Sequence, residues 1–383
     1  MKLVYCHCSV YNPGGMERVL LNKIKWFVEH RPDWEIIVVT TDQQELPPFY
    51  TFPPQVKMVD LGINYSQGNN APLHCKISGF IKKRALHRQR LTALLMQERA
   101  DIVVSLYPGE SSFIPDIKDG SKKVLELHFN RYFRLQYGRN GLLGLIDRLL
   151  SHRDAKLVRR FDGFVVLTQE DAEAWGNLPN ISVIPNAAIS LGSVSDHEAP
   201  NRVIAVGRLD YQKGFDRLIQ AWSILMNNPE LSGWRLDIFG QGEWHSKLTD
   251  MIVQNNLQQS VTINAPVNDI AREYHASSML VMSSHYEGFP MVMIEAMGCG
   301  LPVVSFDFKC GPRDIISQGV NGLVVPDGDI DALARAMSSL MLNGELRRRM
   351  GQEALKVTEK YSTESVMKLW LNLFESLCPS CFK

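Results

Sequence analysis

Several features are scarce or absent in this chain of 383 residues. No apolar run approaches the roughly 20 residues that cross a bilayer, which excludes a helical membrane span. The seven cysteines, at 6, 8, 75, 299, 310, 378 and 381, follow no framework spacing, so reduced thiols are expected rather than a disulfide-stapled domain. Cys378 and Cys381 form a lone "CPSC" with no second pair and no histidine close in sequence, and no zinc site is expected there. The opening "MKLVYCHCSVYNPGG" lacks the long apolar core and small-residue cleavage site of a secretion signal, so a cytoplasmic protein is expected. No GxxxxGK[ST] phosphate loop exists, and no convincing Asp-x-Asp metal pair stands at a strand end, so neither a Walker nucleotide site nor a carboxylate-held metal is expected. Low-complexity segments and short repeats are also missing.

Net charge is zero, with 41 basic and 41 acidic side chains, but the distribution is uneven. Residues 1–190 carry 24 Lys and Arg against 19 Asp and Glu, and Lys76 to Arg160 alone carries 18 against 8. That bias implies a basic face on the first half, suited to phospholipid or polyphosphate; a merely solvated surface is the alternative. No nucleic-acid partner is expected.

A chain this long exceeds one ordinary core and predicts two domains. Short runs that are apolar on both faces ("LVYCHCSV", "EIIVVTT", "DIVVSL", "KKVLELH", "GFVVLT") alternate with helical patterns, the grammar of a doubly wound parallel α/β sheet. After position 200 the grammar restarts with "RVIAVGRL", "WRLDIFGQG", "SVTINAP", "SMLVMSS" and "PVVSF". Between the two series lies "NAAISLGSVSDHEAPN", polar and without period, read as the linker. The predicted boundaries are 1–188 and 201–360, with a final helix in 361–383 packing back on the first domain. Ligands of such sheets bind beyond the carboxyl ends of the strands, so strand-end loops are where function is sought.

Four loops carry chemistry. In "NPGGMERV", Gly14 and Gly15 open a helix whose first amides can meet an anion, although a tight turn alone would also explain them. In "VGRLDYQKG", Arg208 and Lys213 bring two cations to a strand end, which suits a diphosphate or, more plainly, a surface pair. "IFGQG" looks like a dinucleotide fingerprint but lacks its third glycine and acidic residue. In "SSHYEGFPMVMIEAMGCGLPVVSF", a buried strand ends in "HYEGF", Pro290 is expected in the first helical turn, and Glu287 is expected to project into a cleft where the helix amides point. Glu295 is the one charge on an otherwise apolar helix, which calls for ribose hydroxyls or an internal salt bridge as its partner. "DGD" at 327–329 reads as a cap for a helix beginning near Ile330.

"EGFPMVMIE" resembles the E-x7-E arrangement of the retaining glycosyltransferases of family 4, and "NPGGMERV", "VGRLDYQKG", "IFGQG", "EAMGCGLPVVS" and "NGLVV" match that family in order. The resemblance implies the glycosyltransferase B fold, two Rossmann-like doubly wound domains facing a central cleft. The first would bind acceptor and the second nucleotide-sugar. "FKCGPRDIISQGVNGLVV" is similar to bacterial members that build capsular, exopolysaccharide or lipopolysaccharide chains. The implied roles are Arg208 and Lys213 on the donor diphosphate, Glu295 on the ribose, Glu287 and His128 (in "LELHFN") on the donor sugar. Gly14 and Gly15, with Gly288, Phe289, Pro290 and the amides of Met291 and Val292, would complete the phosphate and sugar contacts. The base would lie against the loop Ala265 to Val267. The Gly-Val-Asp that the family often shows after Pro-Asn is here Ala187, Ala188 and Ile189, which puts an acceptor or hinge role of that loop in doubt.

The resemblance thus implies a metal-independent, cofactor-free transfer of a sugar from a nucleotide-sugar donor, UDP-linked, to a saccharide or lipid-linked saccharide acceptor. The arginines, leucines and aromatics of "RYFRLQYGRNGLLGLIDRLLSHRDAKLVRRF" suit peripheral contact with an anionic membrane at its cytoplasmic face. A nucleotide-sugar epimerase of the same fold and a noncatalytic sugar-nucleotide binder are the rival readings.

Overall fold

A computed structural model describes residues 1–67, 73–135, 141–176, 178–188 and 201–382. The predicted linker falls mostly outside the described residues, as do Ile189 and part of the arginine- and leucine-rich segment. The chain divides into two units. One comprises Met1–Leu167, Ala172–Ile184 and Met367–Lys383; the other comprises Thr168–Asp171 and Pro185–Val366.

The first unit is built on seven parallel strands: β1 (Lys2–His7), β2 (Glu35–Thr40), β3 (Lys57–Asp60), β4 (Ile102–Ser105), β5 (Lys122–Glu126), β6 (Gly163–Val166) and β7 (Ile181–Val183). Their spatial order is β3-β2-β1-β4-β5-β6-β7. Helices α1 (Gly15–His30), α2 (Leu73–Glu98), α3 (Gly141–Leu157) and α4 (Gln169–Trp175) connect them. The second unit holds six parallel strands: β8 (Arg202–Val206), β9 (Arg235–Phe239), β10 (Val261–Asn264), β11 (Met279–Met282), β12 (Val303–Phe306) and β13 (Gly322–Val325). They run in the order β10-β9-β8-β11-β12-β13. Its helices are α5 (Phe215–Leu225), α6 (His245–Gln254), α7 (Ile270–His275), α8 (Met291–Gly298), α9 (Pro312–Ile315), α10 (Ile330–Leu342) and α11 (Gly344–Lys360). The last long helix, α12 (Thr363–Leu377), belongs to the first unit from Met367 onward.

Both sheets are doubly wound, and in each the strand order reverses beside the unit's first strand, between β1 and β4 and between β8 and β11. At these reversal points β4 and β11 expose no residue, and neither does β12 beside β11, because their mostly apolar side chains meet helices on either side. Burying a Leu- or Phe-sized side chain is worth about 1.5–3 kcal/mol, so each such strand is strongly held. Three strands, β3, β7 and β13, were not expected from the sequence. All three lie at sheet edges, are three or four residues long and are partly exposed; β3 and β7 carry no apolar run, and that of β13, "GLVV", is short. Asp329 caps α10 as expected, its carboxylate accepting from the Ala332 amide at 2.8 Å.

Candidate functional site

The second unit's reversal point gathers three of the expected residues. Arg208 and Lys213 follow β8, and Glu287 follows β11, the neighbouring strand. Glycine backbone makes the approach possible. Gly214 has φ +60°, and a Cβ there would stand 2.3 Å from the Ser283 carbonyl oxygen. One loop is thereby laid directly on the end of β11. Gly240 is pressed as closely: a Cβ would come within 1.8 Å of the Gly207 carbonyl oxygen. The glycines of "IFGQG" therefore serve close backbone packing beside β8.

Lys213 Nζ donates to Glu287 Oε1 at 2.7 Å, and the Ser284 hydroxyl donates to the same oxygen at 2.7 Å. Gln212 Nε2 reaches Glu287 Oε2 at 3.2 Å. Glu287 is only 5% exposed, so it does not project freely as the sequence reading expected. A carboxylate this buried needs charged or hydrogen-bonding partners, and the loop after β8 supplies them. Arg208 stands apart from the pair. Its guanidinium meets Asp210 at 3.2 Å and the Gln212 side-chain oxygen at 2.8 Å, yet the side chain remains 69% exposed. An exposed guanidinium beside a buried lysine–glutamate pair presents a cation to an incoming anion at small desolvation cost.

Sequence reasoning missed four contributors. Gln212 and Ser284 complete the Glu287 shell. Arg217 donates to the Ser283 and Ser284 carbonyls, pairs with Asp327 at 2.8 Å and covers the ring of Phe306, which clamps the end of β11. Tyr274 on α7 donates to Glu295 Oε2 at 3.4 Å. None lies within a recognisable spacing of its partner except Ser284, three residues before Glu287.

Helix α8 differs in detail from expectation. Pro290 is its N-cap rather than a first-turn residue, and the Met291 amide donates to the Phe289 carbonyl at 3.0 Å. Glu295 is partly exposed rather than buried. Phe289 and Pro290 turn inward: Phe289 packs on Tyr361, and Pro290 lies against Gly311, so neither offers its side chain outward. Gly288 and Val292 are partly exposed; Ala265 and Val267 are exposed in the loop that follows β10.

In the first unit, Gly14 is the N-cap of α1 and Gly15 its first residue. Glu17 folds its carboxylate over Gly14 and stands 3.5 Å from His7 Nε2. Burial works to raise the Glu17 pKa, but His7 and the helix amide hold it below the usual range. His128 follows β5 with its ring only 6% exposed, Nε2 3.1 Å from Glu126 Oε1. Lys23 of α1 donates to both oxygens of the same carboxylate at 2.6 and 2.7 Å and stacks over Trp370 of α12 at 3.7 Å. Burial would push Glu126 up, yet Lys23 and His128 keep its pKa at about 2.

Comparison with known proteins adds three findings. Residues 193–357, less than half of the chain, match the model for "Glycosyl transferases group 1". Among curated relatives, "Amylovoran biosynthesis glycosyltransferase AmsD" of Erwinia amylovora is 36% identical over 216 residues, 54% of this chain and 60% of that protein. The matched stretch is thus less than two thirds of that relative. An uncharacterised glycosyltransferase of Haemophilus influenzae is 25% identical over 379 residues, 96% of this chain and 98% of that one. A mutant of S. aureus TarM in complex with fondaparinux, alpha-GlcNAc-glycerol and UDP superposes with a TM-score of 0.74, at 19% identity over 97% of this chain and 99% of that one. The fold is that of glycosyltransferase B, with two parallel-sheet α/β units.

Proposed function

We propose that the chain is a retaining, metal-independent glycosyltransferase that moves a sugar from a UDP-linked donor to a saccharide acceptor, lipid-linked, in bacterial surface polysaccharide synthesis. The observation that carries the reading is the Lys213–Glu287 pair with Arg208 exposed beside it, at the reversal point of the second sheet. Arg208 and Lys213 take the diphosphate, Glu287 the donor sugar and Glu295 the ribose, with the base toward Ala265 and Val267. As the anomeric carbon–oxygen bond to the diphosphate breaks, negative charge grows on the leaving oxygen, and the two cations meet it without a metal. The acceptor hydroxyl attacks from the same face and gives its proton to the departing phosphate. The configuration at the anomeric carbon is thereby kept. The loops after β1 and β5 of the first unit take the acceptor, while His128, paired with Glu126 and 6% exposed, holds the base of the β5 loop. UDP in the TarM complex supports the choice of base, and the amylovoran relative supports the polysaccharide setting.

No helix among the described residues is long and apolar enough to cross a membrane. The first unit nonetheless exposes Leu143, Leu145, Ile146 and Leu149 on α3 and Ile77, Phe80 and Ile81 on α2, amid the basic segment that begins at Lys76. Apolar side chains among lysines and arginines suit an anionic bilayer surface, where a lipid-linked acceptor would be presented. Unchanged flotation on anionic liposomes after charge reversal at Lys82, Lys83 and Arg88 would remove this part of the reading.

The deciding experiment is a thermal-shift panel of UDP, GDP, ADP and their common sugars on the wild type and on Glu295→Ala. UDP and a UDP-sugar should raise the melting temperature of the wild type alone, because a ligand that binds only the folded state stabilises it. No shift at millimolar ligand, or an equal shift in both proteins, would overturn the donor site. A product formed without acceptor would instead indicate epimerisation.

A further inference from the structure

The terminal Cys378-Pro379-Ser380-Cys381 lacks a ligand partner in its own stretch of sequence, but the fold supplies one from far away. Asp101, immediately before β4, lies beside both cysteines, and one donor atom from each of the three residues falls within 4.8 Å of the others. Each of the three is partly buried.

Two independent features hold the arrangement in place. Asp101 is locked between neighbouring strands: its carboxylate accepts from the Lys2 amide at 2.6 Å, its own amide donates to the Lys2 carbonyl, and its carbonyl accepts from the Lys122 amide. On the other side, the Cys381 amide donates to the Cys378 carbonyl at 3.0 Å, closing a 3-10 turn over Pro379–Phe382 directly after α12. Phe382 in that turn packs edge-on against Trp34 at 5.7 Å, which holds the turn against the first unit.

From this geometry we propose that Cys378, Cys381 and Asp101 form a metal site, with three protein ligands and an open fourth position, for a soft divalent cation of the zinc type. Two thiolates and one carboxylate favour zinc over the hard, oxygen-seeking magnesium and calcium. Zinc–sulfur bonds of about 2.3 Å in a tetrahedron put ligand atoms about 3.8 Å apart. Donor atoms that already lie within 4.8 Å of one another are thus close to the spacing such a site requires. Water completes the fourth position. The cation would fasten the end of the chain to the amino edge of the first sheet, the edge opposite the strand ends that carry the proposed chemistry. On binding, each thiol releases its proton to solvent, so the site takes up one cation for two protons.

Cobalt(II) tests this because a thiolate-bound cobalt absorbs strongly in the near ultraviolet. The full chain, reduced and stripped with a chelator, is titrated with cobalt and back-titrated with zinc. The expected result is a thiolate charge-transfer band that saturates at one equivalent and is bleached by zinc. Cys378→Ser and Cys381→Ser should each lose it, while Cys299→Ser should keep it. Asp101→Asn should weaken cobalt by at least about ten-fold. Because Asp101 also anchors β1, the two cysteine variants keep the test valid should Asp101→Asn unfold. Absence of the band in the reduced wild type would overturn the site. So would a band that survives in the Cys378→Ser/Cys381→Ser double variant, or a Cys378–Cys381 disulfide found in protein purified without reductant.

Discussion

The two sheets share one winding order, yet their reversal points are chemically unlike. In the first unit, Lys23, Glu126 and His128 are sealed in, with side chains no more than 6% exposed, and Glu110 is 3% exposed. In the second, Lys213 and Glu287 are also largely buried, but Arg208 beside them keeps 69% of its side chain in solvent. Topology places charge at both points, and at the second Arg208 is left open to a ligand beside the buried pair. A closed network should govern stability and an open one binding, a division that variants on either side can break.

The largest effect should come from Glu126→Ala. It strands Lys23 in the interior, and breaking one partner of a buried pair costs about 3–5 kcal/mol. Replacing both, as Lys23→Met with Glu126→Leu, should recover most of the loss, measured by urea denaturation. The wild type should also show the pair in its acid limb. Glu126 titrates at about 2 in the folded chain and near the ordinary carboxylate value of about 4.3 when unfolded. Its contribution, on the order of 3 kcal/mol, is therefore complete above that unfolded value and disappears as pH falls through 2. If Glu126→Ala leaves the melt unchanged, the first network is not structural and the comparison fails.

Arg208→Ala should do the reverse. Its guanidinium is exposed, so stability should stay within about 0.5 kcal/mol. Loss of one stabilising cation in the reaction should lower turnover by about 10²–10³-fold. Equal losses of stability and turnover would mean that Arg208 holds the loop rather than the ligand.

Glu110 sharpens the same contrast on a smaller scale. Burial raises its pKa, with the Ser105 hydroxyl opposing. A carboxyl raised in the folded state destabilises the fold once pH exceeds its ordinary unfolded value, as ionisation becomes easier in the open chain. Glu110→Gln should therefore cost little at pH 5 and be relatively more favourable at pH 8, read from melts at the two values. A pH-independent difference would contradict the direction of its shift.

Much of the second site was legible in the sequence because its residues lie in short loops at the ends of apolar strands: Arg208 and Lys213 after β8, Glu287 after β11. Those strands announced themselves through runs of Val, Ile and Met. Edge strands did not, since "KMVD" and "ISV" are covered on one side only and need no run. The state of Glu287 was hidden for another reason. Its exposure depends on Lys213 and Gln212, which sit 74 and 75 positions away, and no spacing rule reports a contact made by the meeting of two strands. The same holds for Cys378 and Asp101, which the winding of the first sheet brings together.

Tyr274 belongs to the same class of long-range partner and should produce the smallest effect. Its hydroxyl donates to Glu295 at 3.4 Å, and its ring is fully buried, so Tyr274→Phe removes one hydrogen bond without opening a cavity. A single hydrogen bond to a charged acceptor is worth about 1.5–3 kcal/mol at good geometry, and this one is long, so a few-fold effect is expected. If Glu295 binds the ribose, the loss should appear as weaker UDP affinity with turnover at saturation nearly unchanged, because the contact is equally present before and during transfer. A loss in turnover alone would place Glu295 near the reacting bond. An unchanged affinity would show that Tyr274 supports the fold of α8 and that Glu295 holds its orientation without it.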